Sequence, residues 1–335
     1  MAIFLFLLIA ICGSLWADEG KPPNGDEALR VQVFLDQKCF GPGFLDGKPG
    51  NFTSRAVYSY NRFQGRSPGN WAPLVAEALE GVQTLYAIAT VPSLAKDFVN
   101  PKLPTERSLQ AKEKLMAYRS YLEFMAERYH TSESFLIEMN GKKKCYGLRP
   151  GRTLKVPNIE PFQIEKLAAG RMHKEDQVLS RRNIVIDTTN KQLFIYDPDG
   201  PVTAIPGAAL VVSEDDAEPL GRVVAMFPVT PGQEEFIHRG VWELRNSIEF
   251  PTWRYDPKLL KEGKRGKDSL QIPYGPNNPV GVIWNGLSKS GIGIHGTSSP
   301  RTIGRAQSAG CYRLSNWDAA RFPKYARLGA RVIVR

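Results

Sequence analysis

Cys311 lies in Ser308-Ala309-Gly310-Cys311-Tyr312-Arg313, sixteen residues after His295 in Ile292-Gly293-Ile294-His295-Gly296-Thr297. A thiolate can attack a carbonyl, an imidazole can take the thiol proton, and a backbone N–H can steady the developing oxyanion. The pair therefore points to covalent acyl transfer, with Cys311 as nucleophile and His295 as general base. An ordinary thiol, with a pKa of about 8.5, is only slightly ionised at neutral pH, so it needs such a base. Gly310 would let a substrate carbonyl approach the main chain closely. The N–H groups around Gly310 and Cys311 are thus the oxyanion candidates, with Ser308 and Gly296 supporting the loop. Arg313 either pairs with a substrate carboxylate or is held structurally by loop carbonyls. No neighbouring Asp or Glu offers to orient His295, so a backbone carbonyl is the expected partner. A zinc site built from His238, His295 and Cys311 lacks an HExxH pattern.

The elements that position this pair belong to a chain too long for one small core. Its 335 residues predict two or three domains. A hydrophobic content of 42% and a charged content of 23% fit a folded protein. The net charge of +10 implies affinity for polyanions. With no zinc finger, RRM signature or long basic run, nucleic acid is not the expected partner. Residues 3–16, IFLFLLIAICGSLW, are apolar but shorter than the roughly 20 needed to span a bilayer. Ala17 and the acidic pair Asp18-Glu19 follow. Residues 1–17 thus read as a secretory signal, leaving no stable membrane insertion after cleavage and a location in the periplasm or cell wall. Cleavage would leave Cys39, Cys145 and Cys311. In an oxidising compartment Cys39 and Cys145 could pair, or both could be buried thiols; either way Cys311 stays free.

Residues 18–27 read as a polar leader. Leu29, Val33 and Phe34 suit a short helix, as do Ala56, Val57, Tyr60 and Phe63, with Thr53 as a cap for the second. Trp71 to Thr90 is apolar and helix-prone. After a linker at 101–104, a long helical pattern runs from Thr105 to Tyr129. His130, His173 and His238 carry no motif and read as surface or packing residues. Beyond a charged linker the pattern turns to strands, around Ile184 and Ile186, Leu193 and Ile195, 208–212, 223–229, 280–284 and 331–334. Ser315-Asn316-Trp317-Asp318 is a capping box opening a helix that Pro323 bends or ends.

These pieces carry resemblances to known families. Asp46-Gly47, Gly50-Asn51-Phe52-Thr53 and Phe63-Gln64 resemble a three-helix peptidoglycan-binding domain. Tyr129, Asn140-Gly141, Leu148-Arg149-Pro150-Gly151 and Leu154-Lys155-Val156-Pro157 resemble a LysM module, which implies binding of N-acetylglucosamine polymers. Residues 180–335 resemble the YkuD-type L,D-transpeptidase catalytic domain. The matching pieces are Asn183 to Asp187, NSIEFPTW from Asn246, YGPNNPVG from Tyr274, His295-Gly296-Thr297, Ser308-x-Gly310-Cys311-x-Arg313 and Asn316-Trp317-Asp318. The chain departs from the family at Ala309, where His is usual. It also departs at 236–242, where a Thr-Pro-x-Gly stretch is altered.

The implied fold is multidomain. A mostly β, sandwich-like catalytic domain at 180–335 with one helix follows a helical domain at 28–90, a linker or helix at 91–115 and a LysM-like module at 116–158. The implied activity is a secreted 3→3 peptidoglycan crosslinker that works through a Cys311 thioester on stem peptides, with no metal or organic cofactor. Water as acceptor would make it an L,D-carboxypeptidase, and an envelope lipoprotein lysine would make it a tethering enzyme. A catalytically inactive wall-binding protein is the rival from another class.

Overall fold

The computed structural model describes residues 21–200, 220–258, 266–305 and 310–335. The expected signal 1–17, the strand candidate at 208–212, and Ser308 with Ala309 lie outside the described residues. Among the described residues, no helix is long and apolar enough to cross a membrane.

Three helices come first: α1 (Gly25–Gln37), α2 (Asn51–Phe63) and α3 (Trp71–Gly81). The leader is shorter than expected, because α1 already starts at Gly25. Leu29, Val33, Val57, Tyr60 and Leu74 share one core. Thr53 does not cap α2. Gly50 is the N-cap, while the Thr53 hydroxyl donates to the Pro42 carbonyl (3.1 Å) and accepts from the Gln32 amide (3.2 Å). The buried Gln32 also receives the N–H groups of Asp46 and Gly47 (2.9 and 2.8 Å), so it holds the Asp-Gly turn.

The helical reading of 71–90 fails at its end. Tyr86–Thr90 is a strand, β1, paired antiparallel with β2 (Thr153–Pro157). A five-residue apolar run is too short to show its period, and the pairing partner decides it. The pattern from 105 to 129 is likewise not one helix. It breaks into α4 (Arg107–Gln110) and α5 (Tyr121–Arg128). Between them the chain bonds outward: Met116 N–H donates to Tyr274 O and Tyr118 N–H to Phe98 O, both at 2.8 Å. Two further helices, α6 (Glu133–Asn140) and α7 (Lys142–Tyr146), pack with α5 and β2 around Leu136, Cys145, Leu154 and Val156. The Cys145 thiol donates to Leu136 O (3.3 Å), while the Cys39 sulfur lies 2.6 Å from the Tyr325 hydroxyl. Both thiols are free, so the Cys39–Cys145 disulfide is not formed.

The C-terminal part is one curled sheet. Its strands are β3 (Asn183–Asp187), β4 (Gln192–Asp197), β5 (Arg222–Pro228) and β6 (Gly240–Glu249), followed by β9 (Ile283–Leu287), β10 (Gly293–His295), β11 (Tyr312–Arg313) and β12 (Arg331–Val334). A separate ribbon pairs β7 (Trp253–Tyr255) with β8 (Leu270–Ile272). The spatial order is β11-β10-β9-β6-β12-β3-β4-β5. The two ends of that order meet: Thr230, just past β5, exchanges both backbone hydrogen bonds with Arg313 in β11, each 2.9 Å. The sheet therefore closes on itself beside Cys311.

Alternation along the strands explains why β3 and β4 read as almost continuously apolar. Ile184, Ile186, Leu193 and Ile195 enter the core inside the curl. Val185, Phe194 and Tyr196 point the other way, onto the N-terminal helices. Each such buried side chain contributes about 1.5–3 kcal/mol. The helix α8 (Asn316–Arg321) plugs the curl. Ser315 caps it by accepting the Asp318 N–H (3.2 Å), and the chain passes into a 3-10 turn at Phe322–Lys324 containing Pro323.

One buried ion pair ties α1 to α8. Asp36, 1% exposed, accepts two bonds from Arg321 (2.8 Å each) and one from His130, which stacks on Trp317. Although burial raises the Asp36 pKa, the Arg321 guanidinium and His130 outweigh it, holding the carboxyl well below the usual range. Asp36→Ala strands the Arg321 charge and is expected to lower unfolding stability by about 3–5 kcal/mol, measured by urea titration.

Candidate active site

β10 and β11 run parallel, with Ile294 opposite Tyr312 and His295 opposite Arg313. Ile294 and Tyr312 are fully buried in the core within the curl. Strand alternation puts His295 and Arg313 on the other face, and Cys311, two residues before Arg313, on that face too. The pairing of two very short strands thus puts residues sixteen apart in sequence on one face of the sheet.

His295 is buried, with its ring stacked on Trp284 from β9 (centroids 5.5 Å apart, planes at 18°). Gly293 makes room for that indole, since a Cβ there would lie 2.7 Å from it. His295 Nδ1 lies 2.7 Å from the Gly296 carbonyl. A carbonyl only accepts, so Nδ1 carries the proton and Nε2 is the basic nitrogen. The orienting partner is thus a backbone carbonyl. Burial pushes the imidazole pKa down to about 4; the Gly296 bond opposes this and the Arg313 charge adds to it. At neutral pH His295 is uncharged and able to accept a proton. Trp284→Ala would hydrate the ring and is expected to raise its pKa toward about 6.5, read by NMR titration of the His295 ring protons.

The half-buried Cys311 thiol donates to Gly291 O (3.5 Å). Burial pushes its pKa up, while the Gly293 N–H and the Arg313 charge pull it down. The resting pair is therefore a thiol and a neutral imidazole. Gly310 has φ +107, and a Cβ there would press on Ile292 and on the Phe236 carbonyl (3.1 Å each). Arg313 lies on the site face with its own pKa lowered by burial and supported by Cys311. Gly296 donates its N–H to Ile283 O (3.1 Å), and its carbonyl accepts from His295 Nδ1.

Several contributors were not singled out from sequence. Trp284 gave no signal beyond an apolar run. Gly232 approaches the loop before Cys311 so closely that a Cβ would sit 2.6 Å from Gly310 Cα. Thr230 anchors the same loop, its hydroxyl accepting the Gly304 N–H (2.6 Å). The Thr-Pro-Gly segment beside the thiol is therefore 230–232. The altered stretch expected at 236–242 instead supplies the Phe236 carbonyl and the start of β6. A Thr-Pro-Gly turn directly after an apolar strand was the available signal. His130 and His173 pack as expected: His173 bonds Glu249 and Arg327. A cavity of about 300 Å³ at the seam between these modules is lined by Phe162, Trp317, Lys324 and Arg327 among others, and by neither Cys311 nor His295.

Comparison with known proteins converges on one family. The family model for the L,D-transpeptidase catalytic domain matches residues 181–334, and that for the LysM domain matches 121–157. A Fuscovulum blasticum protein named L,D-transpeptidase, from the ATP synthase subunits region, is 34% identical over 177 residues, 53% of this chain and 79% of its own. Bacillus licheniformis and Bacillus subtilis proteins named L,D-transpeptidase YkuD are each 42% identical, over 23% and 21% of this chain. The match spans about half of their length, 47% and 48%. An L,D-transpeptidase from Mycobacterium smegmatis is 14% identical with a TM-score of 0.32, covering 56% of this chain and 75% of that one. That likeness is too low to bear on activity.

Proposed function

Because the chain belongs to the L,D-transpeptidase family, with a LysM domain ahead of the catalytic domain, we propose that it crosslinks peptidoglycan through a Cys311 thioester with His295 as general base. The observation that carries this reading is the parallel β10–β11 pairing. It sets the thiol and a neutral imidazole with a fixed tautomer on one face of the sheet.

The chemistry proceeds in two halves. His295 Nε2 takes the Cys311 proton as sulfur attacks the carbonyl of the L,D bond in a tetrapeptide stem. The N–H groups of Gly310 and Cys311 hold the oxyanion. The imidazolium then protonates the leaving D-alanine amine, and a thioester remains. A side-chain amine of a neighbouring stem, deprotonated by His295, attacks the thioester. The product is a 3→3 crosslink, and the thiol is regenerated. Arg313 faces the site and suits a substrate carboxylate. The LysM domain holds glycan strands, and the basic chain suits an anionic wall. The protein works outside the membrane, in the periplasm or cell wall, after removal of residues 1–17.

The test is incubation with tetrapeptide-stem muropeptides followed by mass spectrometry. A 3→3 dimer is expected. Tripeptide monomer alone would reassign the acceptor to water, and no change would favour an inactive wall-binding protein.

A further inference from the structure

Asn316, at the first turn of α8, is fully buried, and its side-chain amide is fully used. Its Oδ1 accepts the N–H groups of Val282 and Thr297 (3.2 Å each). Its Nδ2 donates to the Pro276 carbonyl (3.1 Å) and to Glu127 Oε1 (2.9 Å). The main chain is shaped around it. A Cβ on Gly281, where φ is +64, would lie 2.2 Å from Asn316 Oδ1, and a Cβ on Gly296 would lie 2.3 Å from it. The glycine after His295 is therefore there to admit this amide. Thr297 N–H and the Gly296 carbonyl belong to the same turn, one bonded to Asn316 and the other to His295 Nδ1.

Glu127 comes from α5, within the LysM match. It is buried, and its second oxygen bonds the Tyr118 hydroxyl. Burial pushes its pKa up to about 8 despite the Tyr118 and Asn316 bonds, and nearby Glu123 adds to the rise. The surrounding chain is knitted across the same seam. Asn277 N–H donates to Met116 O (2.8 Å), and the Asn277 amide donates to Ala117 O and to Glu123 (2.8 and 3.0 Å). A buried carboxyl is costly to place, and this one spends an oxygen on the amide that holds the His295 turn.

We propose that Glu127 of the LysM module is a positioning residue for the transpeptidase site, acting through Asn316 on the His295-Gly296-Thr297 turn. The inference rests on the reading of His295 as the base. The LysM module thereby builds part of the site and does more than bind glycan. Without Glu127 an Asn316 N–H is left unpaired in the core, and the amide is free to turn away from Thr297. The carbonyl that fixes the His295 tautomer then loses its anchor.

The experiment measures the rate of carbapenem acylation of full-length wild type, Glu127→Ala and Glu127→Gln by intact mass, with His295 titrated by NMR in each. Glu127→Ala is expected to acylate about 10- to 100-fold more slowly, with the His295 pKa moved upward. Glu127→Gln keeps an oxygen for Asn316 and a donor for Tyr118, and is expected to recover most of the rate. Circular dichroism and chitooligosaccharide binding monitor the fold. Should Glu127→Ala not fold, Glu127→Asp, whose carboxyl is withdrawn by one methylene, takes its place with the same expectation. A folded variant with wild-type acylation and an unmoved His295 titration overturns the inference. A wild type that is never acylated overturns the functional reading instead, and the His295 titration still decides whether Glu127 sets the turn.

Discussion

Cys311→Ala is expected to remove 3→3 crosslink formation, lowering turnover by at least about 10³-fold while glycan binding is unchanged. No other described thiol can substitute. Cys145 lies in the LysM core, bonded to Leu136 O, and Cys39 sits against Tyr325. The change itself is small. Cys311 is half-buried just ahead of β11, and its thiol makes a weak 3.5 Å contact to Gly291 O, so alanine leaves the β10–β11 pairing in place. A loss of activity with an unchanged unfolding midpoint assigns the effect to chemistry. Residual turnover within about tenfold of wild type would remove Cys311 from the reaction.

Replacing His295 with alanine is expected to cost about 10²–10⁴-fold in kcat/KM, the usual range for a general base. The pH profile makes this prediction sharper. A base works only when unprotonated, and burial holds His295 at about 4. Wild-type kcat/KM should therefore stay level as pH falls to about 5 and drop below about 4, whereas an ordinary histidine would begin losing activity near about 6.5. Because burial raises the Cys311 pKa, alkylation by iodoacetamide should be slow at pH 6 and rise only on the alkaline side. In His295→Ala the acidic limb should vanish. A limb near 6.5 together with a thiol that alkylates rapidly at pH 6 would instead mean a thiolate–imidazolium pair at rest, contradicting the buried neutral imidazole described above.

The proposed reactive pair stands out in sequence because its signal is local. Cys311 and His295 each sit among small residues whose need for close backbone approach shows directly in the string. The apolar character of β3, β4, β5 and β12 was legible for a related reason, since each is a run rich in Val, Ile or Phe flanked by polar or turn residues. The rest depends on partners distant in sequence. Nothing around Gly296 reveals that Asn316 fills the space its missing Cβ leaves. Nothing near Arg313 reveals that Thr230 will close the sheet against it. β10 and β11, three and two residues long, carry no period at all, and pairing alone makes them strands. Tyr86–Thr90 misread as helix, and 105–129 as one helix, because apolar spacing alone cannot tell a short strand or a knitted loop from a helical face. Whether Cys39 and Cys145 pair or stay as buried thiols was open in sequence, because it depends on geometry; each thiol is free and has its own hydrogen-bond partner.

The central claim is that Cys311 carries the acyl group. It is tested most directly by mixing wild type with a tetrapeptide-stem donor in the absence of an acceptor amine, quenching in acid and measuring intact mass. The expected result is a mass gain equal to the donor less D-alanine, localised by digestion to the peptide containing Cys311 and discharged by hydroxylamine as a thioester should be. Release of D-alanine with no adduct on that peptide, or an adduct that persists in Cys311→Ala, would contradict the account.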